Sequence, residues 1–201
     1  MLVALAVIGV VASMTIPALI KAYEDKINKT KFLVTHKILR EGNQRLIAEH
    51  GNLSGLYQNY RPDYLQDLAN HVNFVKLCSD RVDYGLEELS SCQKRQTYKA
   101  LNLDLTPPFF NPWDDPDFTA GVLYNGAVIF IMKWNHRSQT IWIDVNGNKS
   151  PNQWGKDMFT YWTDIFTNEI FKSGNGCDRL STGEPGKGQT CSFSILQNID
   201  Y

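Results

Sequence analysis

No charged side chain occurs in the first 20 of this chain's 201 residues. The stretch MLVALAVIGVVASMTIPALI carries only Ser13 and Thr15 as polar groups. No basic residue precedes the apolar run, and Ala12-Ser13-Met14 is a poor small-x-small cleavage signal, so a cleaved signal peptide is disfavoured. A core helix apolar all round needs more covering protein than this chain supplies. Twenty helical residues span roughly 30 Å, the thickness of a bilayer's hydrocarbon core. A membrane anchor is the remaining reading.

Charge imbalance is also missing. The chain has 20 basic and 21 acidic residues, net −1, which gives no footprint for bulk nucleic-acid binding. Catalytic motifs are missing too. His36, His50, His71 and His136 lie in unrelated contexts, with no His-Glu-x-x-His, no Gly-x-Ser-x-Gly and no Gly-rich phosphate loop. Neither an enzyme nor a cofactor is therefore expected. The four cysteines show no Cys-x2–4-Cys spacing, which argues against zinc. Cys78/Cys92 and Cys177/Cys191 repeat one spacing beyond a membrane segment, so disulfides in an oxidising compartment are expected. Local pairing is the simplest of three connectivities. Each bridge would then close a loop of about 15 residues, contributing roughly 3 kcal/mol.

What is present begins at Lys21. Lys21, Glu24, Asp25, Lys26, Lys29 and Lys31 follow the apolar run, yet no Gly or Pro interrupts Lys21 to Arg40. Apolar residues recur as Ile20, Tyr23, Ile27, Val34 and Ile38, which predicts that the helix continues with an amphipathic second half. It should run to about His50 and end at Gly51-Asn52. Residues 52–62 read as loop, and 63–77 as a second helix with Leu65, Leu68, Ala69, Val72, Val75 and Leu77 largely on one face. Residues 79–94 read as a loop held by the first cysteine pair. Pro107-Pro108-Phe109-Phe110-Asn111-Pro112-Trp113 excludes helix and central strand. It reads as an ordered structural loop, or alternatively a binding loop.

Strands follow. Phe118 to Tyr124, Asn125-Gly126 and Ala127 to Trp134 form a hairpin pattern, since Asn-Gly between apolar runs tolerates positive φ. Thr140–Val145, 158–166 and 169–172 add strands, giving an antiparallel meander of four or five. Between them lies Asp144-Val145-Asn146-Gly147-Asn148-Lys149-Ser150-Pro151-Asn152-Gln153-Trp154-Gly155-Lys156-Asp157. Asp144, Asn146, Asn148 and Asp157 offer oxygens at a spacing suited to calcium, although the EF-hand's glycine and glutamate positions do not match. The simpler expectation is a tight inter-strand connection built from Asn, Gly and Pro, with no metal.

The run Ala6-Val7-Ile8-Gly9-Val10-Val11-Ala12 with Thr15-Ile16-Pro17-Ala18-Leu19-Ile20 resembles the N-terminal helix of type IV pilins and type II secretion pseudopilins. In that family a basic leader ends in Gly, followed by Phe-Thr-Leu-x-Glu and the apolar run. Those features would lie before Met1, so the resemblance implies a fragment or a start taken at an internal Met. The Asp-x-Asn-Gly…Pro-Asn…Gly-x-Asp segment and the tail Cys191–Tyr201, read as a terminal strand and tail, resemble the same group. The implied fold is α+β: a long N-terminal helix, apolar in its first half, packed on the antiparallel sheet, with a disulfide-bounded C-terminal region. The implied division is 1–20 as membrane or filament-core helix and 21–201 as one globular domain.

The implied function is polymerisation. Leu2, Val3, Leu5, Val7, Ile8, Val10, Val11, Ile16, Leu19 and Ile20 would leave the bilayer for a filament core, with Pro17 allowing bending. The implied partners are other pilin-like subunits, the lipid bilayer, a prepilin peptidase and inner-membrane assembly machinery. The implied location is the bacterial inner membrane, single-pass with the C-terminal domain outside, and then an extracellular or periplasmic filament. Lysines after the span usually mark the cytoplasmic side. The cysteines place that side outside, and the missing leader would carry the cytoplasmic charge. The competing expectation is a monomeric, membrane-anchored binding or adhesion protein.

Overall fold

The computed structural model describes residues 2–51, 63–79, 86–107, 118–133, 138–171, 177–178 and 180–197. The expected loop at 52–62, the aromatic stretch 108–117, His136 and the end of the tail lie outside the described residues.

One helix, α1, runs unbroken from Leu2 to His50 with Pro17 inside it. It stops where expected: Gly51 takes φ 66° and its N–H donates to the Ile47 carbonyl at 2.8 Å. A residue without Cβ adopts that left-handed conformation without strain. The buried face of α1 is not the expected one. Asn28, Phe32, Thr35, His36, Leu39, Gly42, Asn43 and Leu46 are buried, spaced three or four apart. Tyr23 stays 65% exposed and Val34 46%. Apolar periodicity missed the phase because half of the buried stripe is polar. Two of those polar groups find partners far away in the chain, Thr35 on Asn125 and Asn43 on Ile165 and Asn168.

Helix α2 covers Asp63–Ala69, and the chain then turns into strand β1, Phe74–Ser79, where the second helix was expected to continue. His71, Val72, Asn73, Phe74 and Val75 are weak helix formers, and an open sheet edge decides between two marginal options. Short helix α3 is Leu89–Cys92, inside the expected loop. The meander follows as expected: β2 Thr119–Leu123, β3 Val128–Lys133, β4 Ser138–Asp144, β5 Met158–Asp164 and β6 Ile170–Phe171. With β1 this makes six antiparallel strands in chain order. The 124–126 turn is a three-residue loop. Leu123 and Ala127 close it, and only Gly126 has positive φ, at 81°. Helix α4 is Glu184–Lys187, and α5 is Cys191–Leu196, in place of a terminal strand. The α5 face with Cys191, Ser192 and Ile195 is buried, and the Ser192 hydroxyl donates to the Thr160 carbonyl of β5.

Strand alternation splits the core in two. Ile129, Ile131, Ile141, Ile143, Phe159 and Tyr161 face α1 and α2, against Phe32, Leu39, Leu46, Leu65 and Leu68. Val128, Phe130, Met132, Trp142 and Met158 face the other way, against Phe118, Tyr98, Leu89, Trp154 and the Cys78–Cys92 bridge. The architecture is α+β with a pilin-like layout: a long apolar N-terminal helix laid on an antiparallel sheet.

Candidate functional site

Two features stand out, and the first is what α1 leaves uncovered. Val7, Ile8, Val10, Val11, Met14, Ile16, Leu19 and Ile20 are all more than half exposed, Met14 and Leu19 above 70%. Their most apolar 18-residue window has mean hydropathy 1.7 and no buried part, so this one helix is long and apolar enough to cross a membrane. The side chains of residues 2–5, including Leu2, Val3 and Leu5, lie outside the described ones. Polar groups within the stretch are satisfied locally: Ser13 Oγ donates to the Val10 carbonyl at 2.8 Å and Thr15 Oγ1 to Val11 at 2.9 Å. Pro17 offers no N–H to the turn before it.

The exposed surface does not stop at Ile20. Tyr23 and Val34 lie nearly opposite Phe32 around the helix, at 100° per residue. An interrupted apolar stripe therefore continues up the side of α1 that faces away from the sheet, through Tyr23 and Val34, with exposed Lys26 and Thr30 between them and Leu33 on its flank. It extends roughly 20 Å beyond the stretch that lipid can cover. Of the periodic residues read from the sequence, Ile20, Tyr23 and Val34 are exposed, whereas Ile27 and Ile38 are half-buried and Ile38 packs against the core.

The second feature is the connection from Asp144 to Asp157. Asp144 is fully buried. Its Oδ1 accepts the N–H groups of Asn146 (3.1 Å) and Gly147 (2.8 Å). Its Oδ2 accepts Gln93 Nε2 (2.6 Å) and the Tyr98 hydroxyl (2.7 Å). Asp157 accepts the N–H groups of Gln153 (2.6 Å) and Asn152 (2.7 Å), with Asn146 Nδ2 at 3.1 Å. Asn146 thus joins the two carboxylates. Asn148 turns outward, accepting from the Lys94 N–H and Gln96 Nε2. Burial pushes the Asp144 carboxyl up to about 7 against the pull of these donors, and it raises Asp157 as well. Of the four oxygen-bearing residues flagged for calcium, Asp144, Asn148 and Asp157 already accept from protein donors, which an entering cation would have to displace, while the buried Asn146 side-chain oxygen has no partner. Among the described residues no three His, Cys, Asp or Glu side chains gather as a metal-binding group.

This connection gathers distant parts of the chain. The Lys99 N–H donates to the Asn152 carbonyl and the Trp154 N–H to the Lys99 carbonyl, and Gln153 Nε2 donates to the carbonyls of Ala100 and Leu101. Gly155, at φ 76°, lies against Cys191 so closely that an added Cβ would come within 2.6 Å of its sulfur. Lys156 reaches Asp25 of α1 at 3.8 Å, a pair only 11% and 23% exposed. Both disulfides form with local connectivity, Cys78–Cys92 and Cys177–Cys191, with Cα separations of 6.0 and 4.6 Å. Sequence reasoning singled out the connection. It did not find Gln93, Tyr98 or Asp25, whose role depends on contacts formed across the fold.

No family model, no curated protein and no solved structure matches this chain.

Proposed function

We propose that this chain is a structural subunit of a pilin-like filament, a type IV pilin or a type II secretion pseudopilin, that assembles through α1. The observation that carries this reading is one continuous helix with two environments. Its second half is fixed to the sheet, and its first half presents eight large apolar side chains, each more than half exposed, that no other described element covers. Covering one such side chain contributes roughly 1.5–3 kcal/mol. Lipid can supply that cover while the subunit waits in a membrane. The equivalent surfaces of neighbouring subunits supply it after assembly. The stripe through Tyr23, Leu33 and Val34 favours assembly over a lone anchor, because it extends past the bilayer. Pro17 lets the helix adjust between the two settings. Prepilin peptidase, an inner-membrane assembly platform and an outward-facing domain belong to the same proposal, and the two disulfides suit that side of the membrane.

The test is fractionation of the native protein from its host into membranes and sheared surface filaments, with intact mass and N-terminal sequencing of each pool. The proposal expects a processed, N-methylated chain in the filament pool, beginning at a residue before Met1. A chain found only in membranes and starting at Met1 would leave a plain anchored domain in its place.

A further inference from the structure

A small cleft of about 10 Å³, close to the room one water needs, lies between α1 and the sheet. His36 forms its helix side. The residue is only 7% exposed, and its Nδ1 has no hydrogen-bond partner. Its ring stands edge-on to Tyr161 at 4.8 Å and lies over Phe32 at 6.1 Å. Polar neighbours are present but committed to one another. The Tyr64 hydroxyl donates to Asn43 Oδ1 at 3.0 Å, Asn43 Nδ2 donates to Asn168 Oδ1 at 2.7 Å, and Asn168 Nδ2 donates to the Arg40 carbonyl at 2.7 Å. This chain of bonds runs along the seam and bypasses the imidazole.

The surroundings suit a neutral ring. On α1 the nearest charge is Arg40, one turn further on and also lining the cleft. From α2 comes Tyr64, and from β5 Tyr161, both held neutral by burial. β4 presents Ile141 and β6 presents Ile170. Asp164, at the end of β5, spends its Oδ1 on the N–H groups of Phe166 and Thr167. No carboxylate lines the cleft among the described residues.

We propose that His36 is an acid-sensitive pin in the seam between α1 and the sheet: a proton on this ring drives the surrounding part of α1 off the sheet while the sheet's opposite face stays packed. A charged imidazole here would meet a guanidinium and no counter-ion, in a space too small for a hydration shell. Burial first, and then Arg40, lower the His36 pKa from 6.5 to about 4. The folded value lies below the unfolded one. The seam's stability is therefore complete above about pH 6.5 and is lost as pH falls towards 4. This device acts whether the chain is a filament subunit or a single anchored domain, so it does not rest on the proposed function.

The experiment is hydrogen exchange with mass spectrometry on the full chain in detergent, at pH 7 and pH 4.5, with rates corrected for intrinsic exchange. The proposal expects protection of residues 32–46 to fall by about 50-fold relative to residues 128–144. His36→Gln, which cannot titrate, should show no such selective loss. Equal loss in His36→Gln, or no loss at 32–46 in the wild type, overturns it. A second reading needs no variant. The His36 ring, followed by NMR in the wild-type chain, should titrate near pH 4 with loss of seam protection, and titration near 6.5 in an intact seam contradicts the proposal.

Discussion

Gly42 offers a test of how α1 meets α2, because substitution there sets helix propensity against packing. The residue is buried in the interior of α1, where Gly is about 1 kcal/mol worse than Ala. An added Cβ, however, would come within 2.2 Å of Val72 Cγ2 and 3.2 Å of Leu68 Cδ1. Overpacking of this kind costs about 1–3 kcal/mol. Gly42→Ala is thus expected to destabilise the protein by up to about 2 kcal/mol. Shortening Val72 to Ala removes the atom in the way, and the remaining Val72 Cβ lies at a comfortable 3.6 Å. In the Val72→Ala background the same Gly42→Ala change should stabilise by up to about 1 kcal/mol, the helix-propensity gain less the cost of moving Leu68 Cδ1 from its 3.2 Å approach. The assay is urea unfolding of all four proteins in a fixed detergent, read as a double-mutant cycle. If Gly42→Ala gives the same gain in both backgrounds, the two sites are uncoupled and the turn after α2 does not rest on Gly42.

Asp144→Asn should remove a pH dependence. The folded carboxyl titrates near 7 against an ordinary 3.8, so its stabilising share is full below about pH 4 and is lost as pH rises through 7. Relative to Asp144→Asn, the wild type should lose up to about 4 kcal/mol between pH 4 and pH 8, measured by denaturant unfolding. Asn43→Ala removes the acceptor of the Tyr64 hydroxyl and the donor to the Asn168 amide oxygen and the Ile165 carbonyl, and should cost about 3 kcal/mol by the same assay. Replacing Cys78 and Cys92 together by Ser should cost about 3 kcal/mol, since the bridge spans 14 positions, and a fall in melting temperature under non-reducing conditions checks it.

The parts of this fold that were legible in the sequence are those decided locally. Gly51 ends α1 because only the backbone's own freedom is involved, and the β2–β3 hairpin, described as far as Lys133, follows from apolar runs around Gly126. Strand β1 was misread because Phe74 to Leu77 can be helix or strand until β2 offers an edge. Helix α5 was misread for a similar reason: what fixes Cys191 and Ser192 is β5 and the Cys177 bridge. The orientation of α1 was the largest error. A stripe containing Asn28, Thr35, His36 and Asn43 looks like a solvated face until Asn125, Ile165 and Asn168 arrive as partners. The Asp144 connection was legible as unusual but not as a hub, since its donors Gln93 and Tyr98 come from another segment. The apolar first half of α1 was legible throughout, because a run without charge has the same meaning in any fold.

The central claim is that the exposed side of α1 is covered by α1 of other copies, including the part above the membrane. All four native cysteines are bridged, so an introduced cysteine would be the sole free thiol. The most direct measurement is oxidative cross-linking in cells that co-express two differently tagged copies, one carrying Val34→Cys and the other, in turn, a single cysteine at each exposed apolar position of α1 from Val7 to Tyr23. The account predicts a mixed dimer joining Val34 of one copy to one of these α1 positions of another, enriched in the sheared filament fraction. A Val34→Cys copy that remains fully reactive to a soluble maleimide and forms no cross-link with any partner would contradict it.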